Sequence, residues 1–539
     1  MIIFGEKLFT NPLKTIVAFN LSQVKSAFDE IEQLKNKFYI VGYLRYNAFS
    51  EQKYDFPLLY FEVFNSYDIY KTQNTKKLLL NPISCVNFYE YSQAIKKIKQ
   101  EIADGNTYEV NYTYDFNVPY DGDDYELFEC LLNKQKTPYN FYIKNNFDTI
   151  LSFSPELFFR LKGSHILTKP MKGTIKRGKT EKEDNELKTF LQNDEKNRAE
   201  NVMIVDLLRN DLGRIAKIGS VKVTKLFEIE THKTLHQMTS QIEADLKDNT
   251  NLFDIFKAIF PCGSITGAPK ISTMNIIKNV EKGSREIYCG AIGMISPDET
   301  VFSVPIRILQ KKNNEKDFKY RVGGAIVWNS DIQDEWEETL TKTKFLLDEF
   351  QIVETIKIKD GKLLFEKEHF DRMQKTANYF GFKFKTPKIK PVQKNGILRI
   401  LLDKDGKVLT EYKKLNKIST NKIKISPIIT NSQNEFMYHK TTYRPWYCDS
   451  FQKIKQNEVF DEIYFNEREE LTEGARSNII LQIDGKLYTP PVKCGILNGI
   501  YRQKLLNKCE EKILYKKDLE RAEKIFCVNS VRGIIEVEL

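Results

Sequence analysis

Lys172 stands in the turn-rich segment Pro170-Met171-Lys172-Gly173-Thr174, where a primary amine could serve as a nucleophile. Three glutamates on stretches with helical periodicity, Glu200, Glu335 and Glu338, could bind Mg²⁺, which prefers a few carboxylate oxygens, water and a substrate oxyanion. Glu335 and Glu338 share a helix face because residues three apart are neighbours. The lysine and the three glutamates together predict a site in which Mg²⁺ binds a substrate carboxylate beside an amine. The alternative interpretation is that the lysine is solvated and the glutamates lie on solvent-exposed helix faces.

A loop of small residues, residues 261–270, lies between the two glutamate segments. Its backbone N–H groups stand at a predicted helix start and could receive a carboxylate. Because a glycine-rich turn before a helix is commonplace, the loop by itself indicates only a turn.

The helices and strands that must position these residues are indicated by stretches of periodic hydrophobicity. Hydrophobic residues at helical spacing predict helices, and alternating residues predict strands. The predicted elements are helices at residues 21–35, 90–104, 181–193, 198–208 and 335–350 and strands at 38–44 and 108–114.

The character of the chain changes near residue 350. A hairpin with an Asp-Gly turn is predicted at residues 354–365, and a helix at residues 367–380 ends at Gly381. We interpret the lysine-rich, proline-punctuated residues 383–395 as an interdomain link. The predicted domains are residues 1–348 and 349–539.

The charge of +10 comes from 83 Lys and Arg against 73 Asp and Glu, spread along 539 residues rather than gathered in blocks. Nucleic-acid binding is therefore not favoured, whereas a mild positive field suits a dianionic small substrate. The eight cysteines form no C-x-x-C pair, which predicts reduced thiols and a cytoplasmic location. No apolar run approaches the length of a membrane span, and no secretion signal is visible.

Six segments occur in an order that resembles the chorismate-utilising enzymes: residues 154–158, 169–174, 198–212, 264–270, 288–293 and 323–328. The resemblance covers about residues 35–350 and implies a large α/β sandwich of antiparallel sheets with helices outside. Within that family Lys172 matches the lysine of aminodeoxychorismate synthase component I, which attacks the chorismate ring, displaces the C4 hydroxyl and is then replaced by ammonia. Anthranilate synthases usually carry alanine there.

The same resemblance implies the remaining site residues of this part. Glu200 and Glu338 would be the principal Mg²⁺ ligands and Glu335 a second carboxylate, while Lys172 would act as an amine of lowered pKa. The implied chorismate-binding residues are Thr266, Tyr288, Arg307, Gly323, Gly324 and Lys342.

Three positions depart from the family pattern. Asn197 stands where anthranilate synthases carry glutamate, Gln237 follows His236 where many relatives have a second histidine, and Ala325 replaces a glycine. The first two changes remove groups associated with pyruvate elimination, so we expect amination without elimination.

Beyond residue 350, four segments resemble the class IV pyridoxal-phosphate enzymes, and specifically the aminodeoxychorismate lyases: residues 369–373, 438–444, 471–479 and 495–502. A smaller α+β domain of two subdomains is implied. Lys440 would bind pyridoxal 5'-phosphate covalently, Glu473 would pair with its ring nitrogen, and Thr355 would lie near the reacting carbons. Arg372 and the backbone amides of Ile500 and Tyr501 would hold its phosphate. The unit is short for that family, so a cofactor-free module is the alternative.

The two resemblances together predict a bifunctional enzyme that makes 4-aminobenzoate for folate. Chorismate would be aminated in the first unit, and the product would lose pyruvate in the second. No Cys-His-Glu glutaminase segment is apparent, so ammonia is expected from a separate glutamine amidotransferase. The rival predictions are anthranilate synthase component I and a synthase with a non-catalytic second unit.

Overall fold

The computed structural model describes residues 1–72, 80–135, 137–178, 180–231, 235–347 and 350–539. The chain divides into two compact units, Met1–Leu347 and Asp348–Leu539. The predicted boundary between residues 348 and 349 falls on residues outside the described ranges. Each unit combines helices with mainly antiparallel strands, as the α+β prediction requires.

The described strands and helices of the first unit are numbered in chain order. The strands are β1 (Ile2–Phe4), β2 (Lys7–Phe9), β3 (Lys14–Ala18), β4 (Tyr39–Leu44), β5 (Leu59–Phe64), β6 (Asp68–Ile69), β7 (Ile83–Ser84), β8 (Glu109–Val118), β9 (Tyr139–Lys144), β10 (Asp148–Ser154), β11 (Leu157–Lys162), β12 (His165–Lys169), β13 (Met171–Lys176), β14 (Lys222–Thr231), β15 (Leu235–Asp245), β16 (Gly267–Ala268), β17 (Ala291–Ile295), β18 (Thr300–Ser303), β19 (Ile308–Lys312) and β20 (Phe318–Ile326). The helices are α1 (Leu21–Leu34), α2 (Phe88–Ala103), α3 (Asp124–Lys134), α4 (Glu181–Asn193), α5 (Glu195–Gly213), α6 (Leu252–Ile259), α7 (Lys270–Val280) and α8 (Ile332–Thr343).

These strands form two antiparallel sheets in the described part of the unit. The first has the order β16-β8-β20-β19-β10-β9-β1-β2-β6, with β7 beside β8. The second has the order β13-β15-β12-β11-β18-β17-β4-β5-β3, with β14 beside β15. The strands that carry Lys172 and Glu109, β13 and β8, therefore belong to different sheets.

Successive side chains of β9 contribute to two different hydrophobic cores. Phe141 and Ile143 join a hydrophobic core shared with the second sheet. Tyr142, between them, joins another core with Ile95 of α2 and Phe128 of α3. Since successive side chains of a strand point to opposite faces, the first sheet lies between the second sheet and a layer of helices.

The second unit is numbered onward in the same way. Its described strands are β21 (Ile352–Lys359), β22 (Lys362–Leu363), β23 (Gly396–Leu402), β24 (Val408–Lys413), β25 (Ile423–Thr430), β26 (Asp461–Asn466), β27 (Leu471–Gly474), β28 (Asn478–Ile483), β29 (Lys486–Thr489), β30 (Glu510–Glu511), β31 (Lys524–Asn529) and β32 (Gly533–Val537). Its described helices are α9 (Glu366–Phe380), α10 (Cys448–Lys455), α11 (Ile500–Leu505) and α12 (Lys516–Glu520).

The described residues of this unit also form two sheets, which agrees with the expected two subdomains. A sheet of order β22-β21-β23-β24 packs against α9. The larger sheet runs β25-β26-β27-β28-β29-β30, with β31 beside β28 and β32 beside β31. Each sheet has its own hydrophobic core, around Ile356 and Met373 in the small one and around Ile463 and Ile479 in the large one.

Most predicted elements are confirmed within one to four residues at each end. The predicted helix at residues 90–104 is Phe88–Ala103, and its start is set by Asn87 and Glu90, which cap each other's backbone N–H. The predicted strand at residues 108–114 continues to Val118 because residues 110–118 pair with β20.

Two predictions need correction. The helix predicted at residues 335–350 is Ile332–Thr343, begun by the cap Asp331 and followed by a 3₁₀ turn at Lys344–Leu346, and residues 348–349 lie outside the described ranges. Residues 383–395 are not an interdomain link: they run from α9 to β23 inside the second unit, where Phe384 and Ile389 pack on the small core. Among the described helices, none combines the length and apolar composition that a membrane crossing requires.

Candidate functional site

Lys172 lies inside the first unit rather than in solvent. Its side chain is 9% exposed, and its Nζ donates to Oε1 of Glu109 at 2.7 Å. Glu109 is fully buried at the start of β8 and also accepts from Asn111 Nδ2 at 3.0 Å. The amine and its carboxylate partner thus meet between strands of two different sheets.

The pKa of Lys172 is shifted in the opposite direction from the one expected. Burial lowers it, but the carboxylates of Glu109, Glu200 and Glu156 raise it, and the net shift is upward from the ordinary value. The expectation of a lowered pKa is therefore wrong for this structure, because the amine is paired instead of merely desolvated. Lys172 rests as an ammonium group.

Glu156 provides a proton-holding group near this amine. It is buried between β10 and β11 and accepts from Ser264 Oγ at 2.6 Å. Burial raises the pKa of Glu156 to about 7, against the lowering effects of Ser264 and Lys172. A carboxyl with this pKa can donate a proton near neutral pH.

Two residues that depart from the family pattern lie against the backbone next to Lys172. Gly173 has a φ of +76°, and a Cβ there would lie 2.8 Å from the side-chain Cγ and Oδ1 of Asn197. Gln237 donates from Nε2 to the carbonyl of Gly173 at 2.7 Å and accepts from Thr174 Oγ1 at 2.7 Å. Gln237 therefore holds the β13 backbone next to the lysine, and Asn197 fills the space that a side chain at position 173 would need.

Glu200 on α5 and Glu335 on α8 face the same region. Burial raises the pKa of both groups, and the charge of Glu335 contributes to the rise at Glu200. Glu335 accepts from Ser330 Oγ at 2.8 Å, and Lys196 Nζ lies 3.6 Å from its Oε1. Two negative groups held together in this way favour a cation between the helices.

Glu338, one turn along α8, is paired with Lys342 at 2.7 Å, and Lys342 lowers its pKa. The same ammonium group donates to the carbonyl of Gly323 at 2.9 Å. A Cβ at Gly324 would lie 3.2 Å from Glu335 Oε2. Gly324 therefore allows the β20 backbone to pass close to Glu335.

The three glutamates fit a magnesium ion in donor chemistry but not as a closed ligand set. In the part of the chain that the structure describes, no group of three or more His, Cys, Asp or Glu side chains is arranged to hold a metal ion. Lys196 and Lys342 neutralise Glu335 and Glu338. Hard carboxylate oxygens with few protein ligands suit Mg²⁺ when a substrate oxyanion and water complete the shell.

Of the other predicted chorismate-binding residues, Thr266 and Tyr288 are buried and Arg307 is half-buried. Thr266 is fully buried, and its hydroxyl donates to the carbonyl of Cys262 or Gly263, each at 3.2 Å. Burial raises the pKa of Tyr288 well above its ordinary value. Arg307 makes no ion pair among the described residues, and burial lowers its pKa. A half-buried guanidinium with no carboxylate partner among the described residues suits a substrate carboxylate.

A cavity of about 240 Å³ in the second unit brings together most of the predicted cofactor residues. Lys440 lies in it with Arg372 and Glu473, and Thr355 and Ile500 also line it. Tyr501 does not line this cavity, although its backbone follows Ile500 at the start of α11. A concave site with several converging polar groups is typical of small-molecule binding.

Lys440 is chemically distinct from Lys172. Burial and the neighbouring Arg444 and Arg372 lower its pKa to about 8, against the raising effect of Glu354 and Glu473. A much larger fraction of this amine is neutral near pH 7 than of a solvated lysine. The neutral amine is the form that condenses with a carbonyl compound.

Glu473 is fixed by three donors. Tyr447 Oη lies 3.1 Å from Oε1, while Leu497 N and Asn478 Nδ2 lie 3.0 and 3.2 Å from Oε2. Burial raises the pKa of Glu473 to about 7, and Arg444 is the strongest opposing influence. The carboxyl can therefore exchange a proton with a ring nitrogen at neutral pH.

Arg372 is held in place by a buried acid that the sequence did not single out. It donates twice to Glu354, at 2.8 Å each, and His369 Nδ1 lies 2.6 Å from the same carboxylate. Burial opposes ionisation of Glu354, but Arg372 and His369 lower its pKa to about 2. The guanidinium is thus oriented before any phosphate arrives.

Replacing Glu354 with Gln should weaken binding of pyridoxal phosphate to the second unit about 10- to 100-fold, the usual range for a lost charged hydrogen bond. Absorbance titration of the purified variant with pyridoxal phosphate measures this. Glu368→Gln, on an exposed part of α9 and paired with Lys504, is the matched control. Equal affinity in both variants and the wild type would show that Arg372 does not depend on Glu354.

Sequence reasoning missed three site residues. Glu109 and Glu354 follow ordinary strand patterns, and their importance comes from contacts with residues 63 and 18 positions away. Glu156 was part of a matching segment, yet nothing local indicated its raised pKa. The one signal that could have identified Glu156 as a candidate is its position before a strand, in a segment that matches a known family.

Two family models match the chain. Residues 67–348 match the model described as chorismate binding enzyme, which is more than half of the 539 residues. Residues 351–539 match the model described as amino-transferase class IV. The two matches correspond to the two compact units.

Curated relatives match only part of the chain. Aminodeoxychorismate synthase component 1 of Salmonella typhimurium is 38% identical over 259 residues, which cover 48% of this chain and 57% of that protein. Anthranilate synthase component 1 of Aquifex aeolicus is 36% identical over 265 residues, which cover 49% and 53%. The chain thus spans about half the length of these relatives, and overall identity does not separate the two activities.

Solved structures share the sandwich fold. The crystal structure of anthranilate synthase component I from Streptococcus pneumoniae superimposes with a TM-score of 0.56 at 23% identity, over 64% of this chain and 92% of that one. The menaquinone-specific isochorismate synthase of Escherichia coli gives 0.52 at 18% identity, over 63% and 85%. These likenesses confirm the predicted antiparallel fold.

Proposed function

The chain belongs to the chorismate binding enzyme family, and we propose that its first unit converts chorismate and ammonia into 4-amino-4-deoxychorismate. The observation that carries this proposal is Lys172, a buried amine between the acids Glu109 and Glu156. A nucleophilic amine there supports displacement of a ring hydroxyl, whereas the alanine usual in anthranilate synthases could not attack.

The residues of the first unit would have separate roles in the amination step. Glu200, Glu335 and Glu338 would hold Mg²⁺, which would neutralise the ring carboxylate of chorismate and polarise its diene. Arg307 would bind a second substrate carboxylate, because it has no competing acid among the described residues. Glu156 would protonate the departing C4 hydroxyl.

Replacing Glu156 with Gln should lower the amination rate about 100-fold or more, the usual share of a general acid. In the wild type the acid must be protonated, so the rate at constant free ammonia should fall as pH rises through about 7. The variant should lack this limb. A pH–rate profile measures both effects, and a wild-type rate that climbs through pH 7 would contradict the role.

We propose that the second unit removes pyruvate from the aminated product to give 4-aminobenzoate. The lowered pKa of Lys440, the oriented Arg372 and the buried Glu473 support a pyridoxal phosphate site. When bound, that cofactor would supply the electron sink for the elimination. Lys440 would then move the proton, and Thr355 would lie beside the reacting carbons.

Ammonia would come from a separate glutamine amidotransferase. The Salmonella relative is named component 1, and no glutaminase-like Cys-His-Glu segment is apparent in the sequence. A cytoplasmic location is supported by the eight cysteines, which are free thiols.

Product analysis tests the whole proposal. Purified protein is incubated with chorismate, ammonium, Mg²⁺ and pyridoxal phosphate, and the aromatic products are separated. We expect 4-aminobenzoate, with no product when Mg²⁺ is left out and aminodeoxychorismate alone when the second unit is inactivated. Anthranilate would identify the first unit as an anthranilate synthase, and aminodeoxychorismate alone in the complete mixture would indicate a non-catalytic second unit.

A further inference from the structure

Glu109 contacts the proposed nucleophile directly. The 2.7 Å bond from Lys172 Nζ to Glu109 Oε1 is the ion pair that the structure gives this lysine. Glu109 is fully buried, and Asn111 Nδ2 also donates to Oε1, so this oxygen keeps a fixed place. Its other oxygen, Oε2, is buried and has no hydrogen-bond partner among the described residues.

That orphaned oxygen is unusual, because buried polar atoms in proteins are nearly always hydrogen-bonded. Oε2 therefore leaves Glu109 with an acceptor position that no described residue occupies, while Oε1 stays bonded to Lys172. A proton needs to move only along the existing hydrogen bond.

We propose that Glu109 is the proton partner of Lys172: it holds the amine as ammonium in the resting site and takes its proton before attack. This inference rests on the proposed amination. Glu156 and Glu200 also face Lys172, and Glu338 lies near enough for its charge to interact. Glu109 alone among these makes an ion pair with it in the described residues.

The protons balance over one turnover. Lys172 gives a proton to Glu109, its nitrogen forms a C–N bond to the ring, and the C4–O bond breaks. The hydroxyl leaves as water with the proton of Glu156. Ammonia then forms the new C–N bond, and the bond to Lys172 breaks. Lys172 recovers its proton from Glu109, and the ammonium group of the product returns one to Glu156.

The experiment measures the protonation of Lys172 without substrate. Acetic anhydride labels neutral amines, so the labelling rate of Lys172 against pH, read by peptide mass spectrometry, gives its pKa. In Glu109→Gln the amine loses its closest acid, and this pKa should fall by at least about one pH unit. In the wild type the proton passes within the pair, whereas in Glu109→Gln the ammonium group must lose its proton to solvent. The acid limb of kcat/KM for amination should therefore move to higher pH, to the labelling pKa of Lys172.

Two further variants complete the test. Glu62→Gln changes a buried acid elsewhere in the second sheet, bonded to Tyr60, and should leave the pKa of Lys172 unchanged. Glu109→Asp keeps the negative charge, so the pKa of Lys172 should stay raised in this variant. It provides the comparison with the wild type if Glu109→Gln does not fold. An unchanged labelling pKa in Glu109→Gln, or an equal fall in Glu109→Asp, would overturn the inference.

Labelling and turnover separate this inference from the proposed function. If the pKa of Lys172 falls in Glu109→Gln while the wild type never aminates chorismate, the proton pair stands and the amination proposal is wrong. If the wild type aminates chorismate and neither the labelling pKa nor the acid limb moves, Glu109 is not the proton partner.

Discussion

Lys172→Ala is expected to lower the rate of 4-amino-4-deoxychorismate formation about 1000-fold or more, as removal of a covalent nucleophile usually does. Chorismate should still bind, because Arg307 and the α5 and α8 glutamates are untouched. Steady-state product analysis with ammonium and Mg²⁺ measures the rate, and quenching of intrinsic fluorescence measures binding.

A second readout identifies the bond itself. Wild-type protein incubated with chorismate and Mg²⁺ but no ammonia should gain the mass of chorismate less one water, located at Lys172. Lys176→Ala, at an exposed position on the same strand, should show the same adduct and full activity. An alanine variant at position 172 with full activity would mean that ammonia attacks the ring directly.

The second large effect is expected at Lys440, where alanine should abolish covalent attachment of pyridoxal phosphate. Release of pyruvate should fall about 1000-fold or more, since the same amine also moves the proton. The wild type should be yellow with pyridoxal phosphate and should retain the cofactor after borohydride reduction. The variant should accumulate aminodeoxychorismate from chorismate.

The exposed Lys424 provides a matched control on β25. Lys424→Ala should bind cofactor and release pyruvate at the wild-type rate. A wild-type protein that stays colourless in excess pyridoxal phosphate, or a Lys440→Ala variant that releases pyruvate normally, would favour a non-catalytic second unit.

Much of the site was predictable because residue type and order limit the chemistry. A lysine at position 172 can attack, carboxylates at 200, 335 and 338 can bind a hard cation, and Lys440 and Glu473 can serve a pyridine ring. The structure describes Lys440, Glu473, Arg372 and Thr355 around one cavity. Their roles stay predictions until the variants are measured.

Local sequence patterns gave wrong predictions where contacts with distant residues determine the structure. The helix over α8 was placed too late, because Asp331 caps it before the first hydrophobic residue that shows periodicity. Residues 383–395 resemble a linker in composition, yet two of their side chains join a core formed by α9 and β23.

The sequence by itself determined the candidate nucleophile, the candidate metal ligands, the two families and their order along the chain, since these depend on residue identity and spacing. Only the tertiary structure decided the state of the reacting groups. Glu109 and Lys172 are 63 residues apart and meet from two sheets, so the amine rests as ammonium. Burial and neighbouring charge shift the pKa values of Glu156, Lys440 and Glu473, and neither quantity exists until distant strands pack together.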